Sequence, residues 1–315
     1  MPPQTVPPGD PVLLQAAQMI EQALKGNTPC PVVKTFFDEA TFTASHVVSD
    51  PQTRRAAIID SVLDFDPAAG RISHSSAEMI VAYVKSEGLK VDWLLETHAH
   101  ADHLSAAPWL QQQIGGTLAI GREITHVQEV FGTIFNEGSQ FEHNGSQFDR
   151  LFDDGDSFKI GEIEAVALHV PGHTPADLAY VIGDAVFAGD TLFMPDYGTA
   201  RADFPGGDAR QLFHSIRRLM SLPADARLLL CHDYKAPGRD EFVWETTVGV
   251  ERSANVHVHE GVSEEEFVAM RTARDATLGM PKLIIPSVQV NIHGGQLPAP
   301  EDNGIRYLKI PLDVL

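Results

Sequence analysis

One short stretch limits the choice of fold more than anything else in the chain: Thr97-His98-Ala99-His100-Ala101-Asp102-His103, directly after the apolar run Trp93-Leu94-Leu95. Three imidazoles and a carboxylate so close together make poor core, because each buried polar group needs a partner. They make a good metal site, since imidazole and carboxylate are common metal ligands and the apolar run reads as a strand that delivers the loop. The fold must therefore bring other donors to the same place. Three candidates follow strand-like segments: His173 in Pro171-Gly172-His173-Thr174, Asp190 in Ala188-Gly189-Asp190-Thr191, and His232 in Cys231-His232-Asp233.

The surrounding pattern predicts layers. Asp10 reads as an N-cap with Pro11 at the first helical position, and Leu13, Ala17, Ile20 and Leu24 make one stripe before Gly26. Strands are expected at 41–48 and 56–60 with a turn at Asp50-Pro51, then a helix at 76–86, a strand at 92–97, a helix at 104–113 and a strand at 117–120. A second series follows: strands at 157–160, 164–169, 178–182 and 185–188, a helix at 209–220 and a strand at 227–230. Each half reads as strands, then helix and strand, which in the α/β class fits a two-sheet αβ/βα sandwich better than one doubly wound sheet. Ser263-Glu264-Glu265-Glu266 is a capping box that opens a helix bearing Phe267, Met270 and Ala273, ending near Gly279. The expected organisation is an N-terminal extension with a short helix over 1–30 and a single domain over 31–315, with a C-terminal helix and tail from about 240.

Charge narrows the partners. Asp and Glu outnumber Lys and Arg 43 to 23, and the net charge of -20 repels nucleic-acid phosphates and anionic lipid heads. An anionic substrate would need a local cation, for which Arg201 is a candidate. No apolar run reaches the ~18 residues that span a bilayer, and the Pro-rich start lacks the basic and apolar regions of a signal peptide, so a cytoplasmic location is expected. Cys30 and Cys231 lie in no CxxC pattern; they imply neither a disulfide framework nor a zinc-thiolate site, and both read as small buried hydrophobes.

The succession HxHxDH, PGHT, GD and HD, over residues 32 to 235, resembles the pattern of the metallo-β-lactamase superfamily. The resemblance implies an αβ/βα sandwich of two mixed β-sheets flanked by helices, with metal at the sheet edges. Two branches that act on glutathione thiol derivatives are similar to this chain: the dinuclear glyoxalase II thioesterases and the mononuclear iron persulfide dioxygenases. The thioesterase pattern implies His98, His100 and His173 on one metal, Asp102, His103 and His232 on the other, and Asp190 as the bridge; all are present, so the ligand inventory leaves both branches open. Flanking features favour the dioxygenases. Arg201-Ala202-Asp203-Phe204-Pro205-Gly206-Gly207 resembles their RxDFxxG segment, His232-Asp233-Tyr234 stands where thioesterases show His-Glu-Tyr, and Pro281-Lys282, Pro286, Asn291 and Gly294 resemble their C-terminal part.

That branch implies a mononuclear Fe(II) persulfide dioxygenase, oxidising glutathione persulfide with O2 to sulfite and glutathione. One iron per chain would rest on His98, His173 and Asp190, the two-histidine, one-carboxylate set of non-haem oxygenases. His100, Asp102, His103 and His232 become outer groups or ligands of a second metal, Arg201 and Tyr234 substrate contacts, and a homodimer is compatible with the chain. The alternative is a dinuclear zinc or iron thioesterase that hydrolyses glutathione thioesters. Compared with shorter members of the family, the chain carries an N-terminal extension, an insertion over residues 121–152 and a tail of roughly twenty residues after Gly295. Of the remaining histidines His169 is the one nearest a motif, four residues before His173.

Overall fold

The structure, a computed structural model, describes residues 9–314, so the Pro-rich start up to residue 8 lies outside the described residues. The first half runs α1 (Pro11–Leu24), β1 (Val32–Asp38), β2 (Thr43–Ser49), β3 (Arg55–Ile59), β4 (Val62–Asp66), β5 (Arg71–Ser73), α2 (Ser75–Ser86), β6 (Lys90–Leu95), β7 (Leu104–Ser105), α3 (Ala107–Ile114), β8 (Thr117–Gly121), α4 (Ile124–Ile134) and β9 (Arg150–Phe152). The second half runs β10 (Ser157–Ile160), β11 (Ile163–His169), β12 (Leu178–Ile182), β13 (Ala185–Phe187), α5 (Ala209–Met220), β14 (Arg227–Leu229), β15 (Glu245–Thr247), α6 (Val248–Ala254), α7 (Glu264–Asp275) and α8 (Ile284–Asn291).

Two mixed sheets result, ordered β1-β2-β3-β6-β8-β9 and β10-β11-β12-β13-β14-β15, with a small third sheet β5-β4-β7. The period of two along each strand decides the layers. Val47, Ile58 and Leu94 turn to one face of the first sheet, where they pack with residues of α2, α3 and α8. Their neighbours Val48, Ile59 and Leu95 turn to the other face and meet Ala167, Tyr180, Ile182 and Phe187 of the second sheet. The far face of the second sheet, with Val166, Leu168, Val181 and Leu228, is covered by α1, α5 and α7. That is the αβ/βα sandwich expected from the sequence. Cutting Ile59 to Ala at the seam between the sheets would cost about 2–5 kcal/mol, since the site is closed on all sides.

Several expectations are corrected. The described part of the N-terminal extension packs into the fold: Leu13, Ala16 and Ile20 of α1 are buried against the second sheet, and Asp10, which caps α1, also receives Arg218 of α5; Leu24 alone of the expected stripe is exposed. The helix expected at 104–113 starts later, at Ala107, because Leu104 and Ser105 pair with Leu63 and Val62 of β4. The insertion over 121–152 adds α4 to the core and β9 to the edge of the first sheet. Cys30 is exposed, whereas Cys231 is buried as expected. The capping box at Ser263 forms with both of its hydrogen bonds, and α7 stops at Asp275, four residues before Gly279.

Candidate metal centre

Strand direction decides where the donors meet. β11 is antiparallel to β12 and β12 to β13, while β13 and β14 are parallel, so β11, β13 and β14 point the same way. His173, Asp190 and His232 follow the C-terminal ends of these three strands and arrive at one edge. The loop 97–103 reaches that edge from the end of β6 in the facing sheet. A bridge between Thr43 and His232, backed by the Ala44 N–H donating to the Cys231 carbonyl at 2.7 Å, ties the two sheets there.

His98, His173 and Asp190 form a first cluster with ligand atoms within 4.8 Å of one another. Asp190 Oδ2 is 3.9 Å from His98 Nε2 and 3.7 Å from His173 Nε2. Outer hydrogen bonds choose the tautomers. His173 Nδ1–H donates to the Arg201 carbonyl at 2.9 Å. Thr97 Oγ1 donates its proton to Asp60 Oδ2 at 2.9 Å, so it accepts from His98 Nδ1–H at 3.0 Å. Both Nε2 atoms keep a lone pair for a metal. Burial, helped by the His100 and His173 rings, holds His98 well below the usual imidazole range and therefore neutral.

His100, Asp102, His103 and His232 form a second cluster, also within 4.8 Å. His100 Nε2–H donates to Asp60 Oδ1 at 2.9 Å, and His232 Nδ1–H donates to the Phe42 carbonyl at 3.1 Å. Asp102 Oδ2 lies 3.3 Å from His103 Nδ1 and 3.4 Å from His232 Nε2, and Asp190 Oδ1 lies 3.3 Å from His232 Nε2. Burial would raise the Asp102 carboxyl, but His232 and His103 hold it well below its usual range; burial would lower His232, but Asp190 and Asp102 raise it. The second cluster can thus balance its own charge, and Asp190 reaches into both.

The donor set fits a transition metal. His98 Nε2, His100 Nδ1, His103 Nε2, His232 Nε2 and Asp190 Oδ1 are all buried without a hydrogen-bond partner among the described residues, which would cost about 1–3 kcal/mol each unless an ion or water met them. Cys231 brings its sulfur within 4.8 Å of the ligand atoms of Asp60 and His100, and likewise of Asp190 and His232; burial followed by Asp60 pushes its thiol well up.

Residues that the motifs did not flag hold this edge in place. Asp60 takes the Thr97 N–H, the Thr97 hydroxyl and His100, and does so from a left-handed backbone (φ 52°), a strained conformation kept where surroundings demand it. Asn291 of α8 donates to the carbonyls of His100 and His103, both at 2.8 Å, and accepts the Ser105 N–H at 2.9 Å. Gly172 (φ 142°) and Gly189 (φ 53°) precede His173 and Asp190; a Cβ would lie 2.3 Å from the Leu212 backbone at the first and 2.8 Å from Thr97 at the second. His169 is structural, with Nε2 on the Pro175 carbonyl at 2.8 Å.

A cleft of about 480 Å³ opens on the centre, lined there by Asp102, His173 and Asp190 and elsewhere mainly by aromatic and aliphatic side chains. Tyr234 lines it, stacked on His232 with ring centroids 5.6 Å apart, and burial pushes its hydroxyl well above the usual phenol range, so it remains a donor. Arg201 lines it too, but the bidentate edge expected to face a substrate is occupied: Nε and Nη2 donate to Asp203 at 2.6 and 2.7 Å, and Nη1 to the Gly279 carbonyl at 2.7 Å.

Comparison with known proteins gives a consistent family. Residues 40–232 match the model of the metallo-beta-lactamase superfamily. A probable metallo-hydrolase of Burkholderia pseudomallei is 57% identical over 90% of this chain and 99% of its own length. A glyoxylase B2 of Dictyostelium discoideum is 45% identical over 90% and 97%, and the human mitochondrial persulfide dioxygenase ETHE1 is 27% identical over 90% and 96%. Among solved structures, ETHE1 of Myxococcus xanthus superposes with a TM-score of 0.67 at 28% identity, covering 84% of this chain and all of that one (100%).

Proposed function

The chain belongs to the metallo-β-lactamase superfamily, and within it we propose that it is a mononuclear Fe(II) persulfide dioxygenase that oxidises glutathione persulfide with O2 to sulfite and glutathione. One observation carries this reading: the two clusters are not equivalent. In the second, carboxylates and imidazoles stand 3.3–3.4 Å apart, close enough for ion pairing without a metal. In the first, Asp190 stands 3.7–3.9 Å from His98 and His173, too wide for direct pairing; two ~2.0–2.2 Å metal bonds span the separations of either cluster, but only in the first do the charges need an ion to meet. His98, His173 and Asp190 are thus the residues to hold one ion, with His100, Asp102, His103 and His232 around it. The likeness to persulfide dioxygenases, which extends over nearly the whole chain, supports the same branch.

Iron(II) bound there supplies open positions and the redox chemistry that sulfur oxidation needs. Overall, one persulfide, one O2 and one water give one thiol, one sulfite and two protons. The chain's own residues do the rest. His173 and Asp190 face the cleft, so a persulfide sulfur that enters it meets the centre directly. Tyr234 can donate a hydrogen bond to that sulfur or its neighbour, and Phe42, Phe193 and Tyr197 give the reacting end a largely apolar wall.

A dinuclear thioesterase is the second reading, favoured by the unpartnered Nε2 atoms of His103 and His232 and by the names of the 57% and 45% identical relatives. Oxygen uptake with glutathione persulfide, run beside hydrolysis of a glutathione thioester on protein of measured metal content, separates them. About one iron per chain with oxygen uptake supports the dioxygenase. Two metals per chain with thioester hydrolysis and no oxygen uptake overturns it.

A further inference from the structure

Four cationic side chains line the cleft: Arg201, Arg271, Arg274 and Lys282. Two of them are occupied within the fold. Arg201 is bound to Asp203 and the Gly279 carbonyl. Arg271 is 1% exposed and holds Asp275 at 2.5 Å, with a further contact to the Thr199 carbonyl at 3.2 Å. Arg274 and Lys282 are exposed, and among the described residues neither makes an ion pair or a side-chain hydrogen bond. In a protein of net charge -20, two unpaired cations on one cleft are a local reversal of the field.

Their setting is ordered. Arg274 lies in the last turn of α7 and Lys282 in the segment that leads to α8. That corner is fastened to the strand-end loop carrying Arg201: the Ala202 N–H donates to Asp275 Oδ2 at 3.0 Å, and Arg201 reaches Gly279. The acids that line the cleft, Asp102 and Asp190, are at the buried metal end. The cleft is therefore acidic where an ion would bind, apolar along its wall and cationic at its mouth.

We propose that Arg274 and Lys282 form the subsite for the terminal carboxylates of the glutathione carrier, in place of the Arg201 fork. This rests on the reading of glutathione persulfide as substrate. With the sulfur directed to the Asp190 end, a tripeptide bearing a carboxylate at each end, one of them beside an ammonium, presents both carboxylates toward the mouth, where the two free cations stand. The pair selects thiols by their charge at a distance from sulfur, and so favours glutathione over small uncharged thiols. The bland role for Arg274, a cation favourably placed at a helix C-terminus, concerns α7 stability and not ligand choice.

Calorimetric titration of the iron-loaded protein tests the subsite without turnover. The ligands are glutathione and its diethyl ester, which lacks both carboxylates; the proteins are wild type, Arg274→Gln/Lys282→Gln, and Lys85→Gln as a cation distant from the cleft. Wild type and Lys85→Gln should bind glutathione about tenfold or more tighter than the ester, a difference of ~1.4 kcal/mol or more. The double variant should lose that preference through weaker glutathione binding, with its melting temperature near that of wild type. No preference in wild type, no glutathione binding, or a preference retained in the double variant overturns the subsite. A failure of the dioxygenase reading looks different: the wild type takes up no oxygen with glutathione persulfide, while its calorimetric preference and the loss of it in the variant remain.

Discussion

The two histidine clusters are built from the same residue types on the same sheet edge, yet they differ in how their charges are met. The cluster of His100, Asp102, His103 and His232 has its carboxylate within 3.4 Å of two imidazoles, so much of its electrostatics is settled internally. Both clusters have outer nitrogens engaged and inner ones open, but in the cluster of His98, His173 and Asp190 the carboxylate stands 3.7–3.9 Å from the two imidazoles, too far to pair with them directly. The lesson is that two clusters of the same donor types differ in how far the carboxylate stands from the imidazoles it could neutralise.

Removing Asp190 should give the largest effect, because it takes the single carboxylate from the first cluster and the contact to His232 from the second. Asp190→Ala is expected to lower iron to background by metal analysis and to abolish oxygen uptake, because it removes the charged donor of a three-residue site. His103→Ala should keep the iron and lose roughly 10–100-fold in oxygen-uptake rate. Equal metal loss in the two variants would erase the difference between the clusters and favour a dinuclear site. Asn291→Ala removes the clamp on the loop that carries His100 and His103; denaturant titration should register about 1–3 kcal/mol of lost stability, since three backbone groups lose their partner. Iron affinity unchanged alongside full activity would mean that the loop needs no such clamp.

The smallest effect contrasts these balanced carboxylates with one that has no cation. Glu251 is buried, and burial pushes its carboxyl up to about 8, with only Asn255 as a side-chain donor. The unfolded chain ionises this group from about pH 4.5 upward while the folded one does not. Its stability contribution is therefore complete below that range and is lost progressively as pH rises to about 8. Glu251→Gln should flatten the stability–pH curve between pH 5 and 8, by at most ~1.4 kcal/mol for each pH unit of that span, with turnover intact. A variant curve parallel to wild type would show that Glu251 is ionised in the fold.

The clustered donors were legible because each sits in a short motif at the end of an apolar strand, a signal carried by neighbouring residues. The sandwich was legible for a similar reason: alternation in runs such as Val47-Val48 and Leu94-Leu95 reports two buried faces. Asp60 and Asn291 were not legible as a hub and a clamp, since they are ordinary polar residues until folding brings them 37 to 191 positions along the chain to the metal loop. Arg201 shows the opposite failure. Its motif drew attention to the side chain, but Asp203 two residues on takes the edge that a ligand would need. Helix α8 was missed because its buried residues, including Ser287, Gln289 and Asn291, carry too little apolar pattern to mark a face.

The glycines before His173 and Asp190 set a limit on how this edge can change over generations. Neither touches an ion, yet at both positions even one added methyl collides with a packed neighbour, at Gly172 with the backbone of α5 itself. The tolerated sequence space around the centre is consequently narrower than a ligand inventory suggests. New specificities are more accessible through the aromatic wall and the mouth, where side chains can be exchanged without moving a strand end. Divergence among descendants of this chain should accumulate there first and leave the two ligand-bearing hinges untouched.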